Sequence, residues 1–398
     1  LTFRKLNLTL SLTFTRENLS MTTLFQRTTT DWRDIGGLDT AEEIAHQPAL
    51  WRELATHLST EQSRIAAFLG DSLRNSQQRV ILTGAGSSAY VGEIIADEIN
   101  AAWPCQVRAI STTSLLTHPA LYLESGAPTL LVSFARSGNS PESTAAVQLV
   151  RDLVPNVRFL NITCNADGAL AQQSANDADT LNLLMPAASC DRGFAMTSSF
   201  TCMLLAALSA LDPDFQPERL NKLADLGEQA ASQWAASVAQ LASERVSRVI
   251  YLGSGPLEAL AKEAALKIME LTAGAVMTMA NSALGFRHGP KAAVTRDTLV
   301  LLFRSADPLS RRYEHDLIEE LRRDQVAAHV LTIGAGGDFG IDTPAWPDAW
   351  LAPLWLLMAQ QYALHQSALL QLRPDNPFTG GIVNRVVQGV TIYRHDEF

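Results

Sequence analysis

Thr129 to Ala145 reads TLLVSFARSGNSPESTA, and the order of its parts decides the fold class. Leu130, Leu131, Val132 and Phe134 form an apolar, β-prone run that stops at Arg136-Ser137-Gly138-Asn139-Ser140. Pro141 then opens a helix, with Ser140 at its N-cap and Glu142 in its first turn. A buried strand, a hydroxyl-rich loop with a glycine and a helix N-terminus make an anion seat. Backbone N–H groups converge there, the helix dipole favours negative charge, and Ser137, Asn139 and Ser140 add short donors. A plain capped helix uses the same residue types, so the loop by itself leaves both readings open.

The second half of the chain adds a register. RVILTGAGSSA begins at Arg79 and RVIYLGSGPLE at Arg248; TLLVSF begins at Thr129 and TLVLLF at Thr298, so both pairs stand 169 positions apart. Such spacing marks an internal duplication. Where the first copy has FARSGNSPES, the second has FRSADPLSRR, with Asp307 and no glycine, which suits a phosphate poorly. One half keeps the anion seat and the other has been turned to something else.

Bulk properties bound the function. A chain of 398 residues accommodates two domains with cores of their own. A net charge of −10 with no basic stripe argues against nucleic acid. Cys105, Cys164, Cys190 and Cys202 show no CxxC pair and no metal-ligand spacing, which reads as reduced core residues of a cytoplasmic protein with no metal. No apolar run reaches membrane-spanning length. Residues 1–20 read as an upstream or non-native extension before Met21.

Taken in order, Thr40 to Asn75 shows helical periodicity, with a capping-box pattern at Thr40–Glu43 and a break at Gln47-Pro48. His46 and His57 read as surface residues. Val80–Thr83, Gln106–Ile110 and Val157–Thr163 read as buried strands of an α/β sheet with hydroxyl residues at their C-terminal ends, where such sheets place ligands. The Gly84-Ala85-Gly86-Ser87-Ser88 turn allows close approach to a ligand, but Ala89 stands where a dinucleotide fingerprint wants its third glycine. Arg192-Gly193, before a run of small and hydroxyl residues, is expected to border the ligand pocket, the alternative being a cap for the helix that follows. The proline-rich Asp212–Pro217 stretch approaches an interdomain linker.

In the second copy a helix from Leu257 to Leu271 carries Glu263, Lys267 and Glu270 on one face of an otherwise apolar, alanine-rich segment. On a solvated helix that stripe would be a set of surface ion pairs. In a helix this apolar, ionisable groups are candidates for chemistry. His288 follows in a short loop, Gly285-Phe286-Arg287-His288-Gly289-Pro290-Lys291, and general acid/base work is the role proposed for it.

The loop ARSGNS, the turn GAGSS, the helix EAALKIMEL and the loop FRHGP resemble the sugar isomerase (SIS) domain, present twice. STTSLLTHP, DRGFAMTSSFTCMLLAAL, LGFRHGPK and the tail PDNPFTGGIVNRVVQGVTI are similar to the tagatose-6-phosphate ketose/aldose isomerase family, also described as galactosamine-6-phosphate deaminase/isomerase. The resemblance runs from about Met21 to the C-terminus and implies an α/β fold. Each SIS domain would be a flavodoxin-like αβα sandwich on a parallel sheet. The boundaries would be a helical segment at 21–75, a phosphate-binding domain at 76–220, a domain with the catalytic Glu and His at 221–373, and a tail at 374–398 that closes the active site.

The resemblance also implies roles. Arg136, Ser137 and Ser140 would hold phosphate, to which the reading of the loop itself adds Asn139; Ser87 and Ser88 would lie beside the sugar, Glu270 would shuttle the proton, and His288 would open the ring from the neighbouring subunit of a homodimer. The relatives present a lysine in the tail where this chain has Gln388, so Arg385 or Lys267 would have to compensate, and Lys267 joins the catalytic set on that ground. The implied reaction is an isomerising deamination of galactosamine 6-phosphate without metal or organic cofactor. A plain aldose–ketose isomerase and a non-catalytic sugar-phosphate sensor are the alternatives.

Overall fold

The computed structural model describes residues 22–381, 383–387, 389–393 and 395; the expectation for residues 1–20 lies outside the described residues. A hairpin of β1 (Thr23–Leu24) and β2 (Arg27–Thr28) leads into α1 (Thr29–Ile35), α2 (Leu38–Ala45) and α3 (Gln47–Leu69). The first α/β unit follows as β3 (Arg79–Thr83), α4 (Ser87–Ala102), β4 (Gln106–Ala109), α5 (Thr112–Thr117), β5 (Thr129–Ala135), α6 (Pro141–Leu153), β6 (Val157–Thr163), α7 (Ala169–Gln172), β7 (Thr180–Leu184) and α8 (Ser198–Leu211). The long α9 (Pro217–Ser243) crosses to the second unit: β8 (Arg248–Gly253), α10 (Pro256–Leu271), β9 (Met277–Ser282), β10 (Thr298–Phe303), α11 (Pro308–Asp324), β11 (His329–Ile333) and α12 (Asp348–Leu369).

Among the described residues the first sheet runs β4-β3-β5-β6-β7 and the second β9-β8-β10-β11, every pairing parallel. The two orders match as far as the second sheet extends, which is the expected duplication expressed as topology. The register is kept too: β3 and β8, and α4 and α10, begin 169 positions apart.

Strand alternation divides the cores. On β5, Leu130, Val132 and Phe134 enter the large core shared by both units, and Leu131 enters a smaller one with Val150 of α6 and Val154 just after it. On β10, Leu299, Leu301 and Phe303 join the shared core, and Val300 and Leu302 pack against Leu317, Ile318 and Leu321 of α11. Helices therefore cover both faces of each sheet. Between the sheets α4 packs on α10, α3 on α9, and α12 on α9 and α10. That layer brings the face of α10 bearing Lys267 against the first unit.

The capping box expected at Thr40 is not formed. The helix α2 starts at Leu38, and Asp375, from the segment after α12, accepts from the N–H groups of Asp39 (3.2 Å) and Thr40 (2.8 Å) and from the Thr40 hydroxyl (2.7 Å). A carboxylate distant in sequence takes the cap's place, which leaves Glu43 free to act elsewhere.

Candidate active site

Strand order reverses between β3 and β5, and a cavity of about 230 Å³ opens at their C-terminal ends. Two glycines shape it. A Cβ on Gly84 would stand 2.5 Å from the Ser88 backbone, so only glycine lets α4 start this close to β3. Gly138 has φ +65°, the left-handed region that the tight turn before α6 requires. Ser87 and Ser88, read from sequence as part of the turn, form the first turn of α4 and face the cavity with their helix N-terminus beside them.

The opposite wall is the β5–α6 loop, where Ser137 and Ser140 line the cavity. Ser140 is the N-cap of α6, but its hydroxyl pairs with that of Ser143 at 2.7 Å and accepts no N–H from the helix. Pro141 has no N–H and that of Ser143 bonds the Ser140 carbonyl at 3.1 Å, so Glu142 is the first-turn residue whose N–H is left for an incoming anion. Asn139 does not line the cavity: its side-chain oxygen accepts from the Ala169 N–H at 2.9 Å and ties the loop to α7. Arg136 lines the cavity, buried to 8% exposure. Its terminal nitrogens donate to the carbonyls of Phe194 (2.9 Å) and Arg385 (3.1 Å), so it braces two segments of the rim. Burial lowers its pKa, and the nearby Asp191 partly offsets that.

The stripe on α10 is buried as the apolar helix predicts. Glu263 and Lys267 are wholly inaccessible, and Glu270, 22% exposed at its side chain, reaches the cavity. The Lys267 ammonium donates to Glu270 at 2.6 Å and to the Ser87 hydroxyl at 3.0 Å, and stands 3.2 Å from Glu263. Burial would depress its pKa, but the two carboxylates outweigh burial and raise it. Lys267 is thus a charged, fully engaged group behind the cavity wall and not a free amine inside it. Burial pushes the Glu263 carboxyl up to about 7, against the attraction of Lys267.

Two further expected residues stand apart. His288 is exposed and does not line this chain's cavity. Arg192 is not a wall residue either. Its guanidinium is held by Asp39 (2.8 Å) and Glu42 (2.9 Å) of α2, and Phe194 and Met196 of the same segment line the cavity in its stead. Gln388 lies outside the described residues.

The tail contributes Val383 to Val387, with Arg385, to the wall, and what sequence reasoning missed is the support beneath the rim. Glu43 accepts from the N–H groups of Arg192 (2.5 Å) and Gly193 (3.2 Å), and Phe378 packs on Phe194 at 4.9 Å between ring centres. The periodicity of α2 marks Glu43 only as an inward-facing position.

These buried carboxylates carry a pH signature. Burial raises Glu98 to about 7 and also raises Glu43 and Glu263. A carboxyl raised in the folded state binds more protons there than when unfolded, so its stabilising contribution is lost as pH rises through the folded value. Half-buried His46 and buried His365 are shifted down by burial, and they weaken the fold only as pH falls below their ordinary range near 6.5. Between about pH 6.5 and 8 the carboxylates act alone, and each is worth on the order of 1 kcal/mol. Calorimetry should show the melting temperature falling across that interval.

The comparisons with known proteins agree with this fold. The SIS domain model matches residues 72–211 and 240–370. A D-galactosamine-6-phosphate deaminase AgaS from Shewanella sp. (strain ANA-3) is 44% identical over 364 residues, covering 90% of this chain and 92% of that protein. The protein of the same name from Escherichia coli is 43% identical over 374 residues, 90% of this chain and 96% of that one. Among solved structures, tagatose-6-phosphate ketose/aldose isomerase from Escherichia coli superposes with a TM-score of 0.84 at 39% identity, covering 90% of this chain and 98% of that chain.

Proposed function

The chain belongs to the SIS domain family, and from that premise we propose that it converts D-galactosamine 6-phosphate to D-tagatose 6-phosphate and ammonia. It is an enzyme of the amino-sugar phosphate deaminase/isomerase type. The observation that carries the finer reading is the cavity's division of labour: the first unit supplies an anion seat and the second places a carboxylate, Glu270, in the facing wall.

The phosphate docks against Ser137, Ser140 and the α6 N-terminus, with Ser87 and Ser88 beside the sugar. His288 of the partner subunit of a homodimer assists ring opening, a reading supported by its exposure and its absence from this chain's own cavity. In the open-chain amino aldose, Glu270 takes the proton from C2, giving an enolamine, and returns it to C1, giving a ketimine at C2. Water adds to C2, the C–N bond breaks, and ammonia leaves with the ketose phosphate behind. One carboxylate serves both carbons because they are adjacent and share a face. Lys267 holds that carboxylate in place. Arg385, in the cavity wall, is the cation nearest in the tail to the position the relatives' lysine would occupy.

Doubly charged sugar phosphates do not cross bilayers unaided, and four free cysteines suit a reducing compartment, so the cytoplasm is the place proposed. No helix among the described residues is long and apolar enough to cross a membrane.

A coupled ammonia assay with galactosamine 6-phosphate, and glucosamine 6-phosphate beside it, tests the reading. Ammonia from the galacto sugar and little from the gluco sugar is expected. Silence on both, with ketose formed from an aldose phosphate, would replace deamination by plain isomerisation.

A further inference from the structure

The duplication places a second crevice at the equivalent position of the other unit. A cavity of about 520 Å³ opens at the C-terminal ends of β8 and β10, walled by Ser254, Gly255 and Pro256 after β8 and by Ser305, Ala306 and Asp307 after β10. Just as Glu270 of α10 reaches into the first cavity, α4 of the first unit closes this one, with Glu98 and Ala101 in its wall.

The 169-residue register pairs the groups one by one. Opposite Glu270 stands Ala101, opposite Lys267 stands Glu98, opposite Ser87 stands Pro256, and opposite Arg136 stands Ser305. The carboxylate, its ammonium partner and a hydroxyl have all been replaced, and the ammonium by a group of opposite charge.

The loop amides are nevertheless occupied. Asp348, at the start of α12 and 8% exposed, accepts from the Ala306 N–H at 2.6 Å and from the Ser305 hydroxyl at 2.5 Å. Glu314 accepts from the Ser305 N–H at 3.0 Å, and Asp307 caps α11 through the Ser310 N–H at 2.7 Å. An anionic group is therefore bonded where the first unit leaves its loop open. It belongs to the chain itself.

We propose that this second crevice is a duplicated phosphate seat filled by the side chain of Asp348, which acts as an internal anion and limits each chain to one bound phosphate. The inference rests on the reading of the first loop as a phosphate seat. It also explains why the loop lacks a glycine: a carboxylate delivered from α12 meets two donors, whereas a phosphate needs a wider cradle of backbone N–H groups. Phosphate brought there would lose those donors to Asp348 and face its charge.

Equilibrium dialysis of the full chain against labelled inorganic phosphate counts the seats. At mildly acidic pH, below the value of about 7 to which burial raises Glu98, that neighbour is largely neutral. Wild type is expected to bind one equivalent, and Asp348→Ala, with its folding checked by circular dichroism, to bind one more. Two equivalents on wild type would overturn the proposal, as would a folded Asp348→Ala variant that gains none. If Asp348→Ala fails to fold, the wild-type count still decides. If wild type binds no phosphate, the reading of the first seat fails on its own, and a single equivalent gained by Asp348→Ala would still support the internal anion.

Discussion

Glu270→Gln is expected to lower the turnover of galactosamine 6-phosphate by roughly two to four orders of magnitude, the usual worth of a general acid/base group. The substitution keeps the side chain's length and its hydrogen bond from Lys267, so the fold and the phosphate seat should be undisturbed, and KM should move little. That combination is the mark of a group that acts in the transition state and not in binding. The measurement is steady-state kinetics by ammonia release, with loss of exchange of the C2 proton into solvent as the direct check. Near-wild-type turnover would remove Glu270 from the scheme. The same variant reports on the subunit arrangement. Mixed with inactive His288→Ala under conditions that exchange subunits, it should recover activity well above either variant alone, because mixed dimers hold one site with both groups intact. No recovery would place His288 outside the shared site.

Much of this site could be read before the fold was known, and the reason is locality. The β5 run, the Arg136–Ser140 loop and the α6 N-terminus are consecutive, so strand period, turn residues and cap residues carry the geometry directly. The α10 stripe is legible for the same reason. Glu263, Lys267 and Glu270 share a helix face by spacing, and the surrounding alanines and leucines state that the face is dry.

What was not legible depends on residues far apart in the chain. Thr40 and Glu43 look like a capping box because the competing carboxylate, Asp375, stands 335 positions away. Arg192 looks like a pocket residue because nothing near it in sequence announces Asp39 and Glu42, while its neighbours Phe194 and Met196 reach the cavity. Arg136 is a natural phosphate ligand by type, yet the fold uses its terminal nitrogens to join the Phe194 segment to the Arg385 segment, a constraint written in three separate stretches. The fate of the second loop belongs here too. Its lost glycine is visible in the sequence, whereas the carboxylate that fills it arrives from α12.

Lys267→Met should be the most destabilising single change in the site, and its cost should depend on pH. The ammonium is wholly buried and faces two carboxylates, Glu270 at 2.6 Å and Glu263 at 3.2 Å, and neither Glu263 oxygen completes a well-formed hydrogen bond. Removing one partner of a buried ion pair costs on the order of 3–5 kcal/mol, because the other charge is stranded. Glu263 has an escape, since burial already raises it to about 7 and loss of the lysine's attraction raises it further. At pH 6 it takes a proton and the variant is only moderately weakened. As pH rises toward that higher folded value the proton is lost to solvent and a carboxylate charge is left in a dry site, and stability falls. Thermal unfolding should therefore show the gap from wild type widening between pH 6 and 8.5, while Glu263→Gln/Lys267→Met, which leaves Glu270 at the cavity but no wholly buried charge, shows a smaller gap that pH barely moves. Turnover should fall in both, since Glu270 has lost the ammonium that fixes its carboxylate against the cavity. A gap independent of pH in the single variant would mean that Glu263 is not the stranded charge, and that Lys267 stabilises the helix by packing alone.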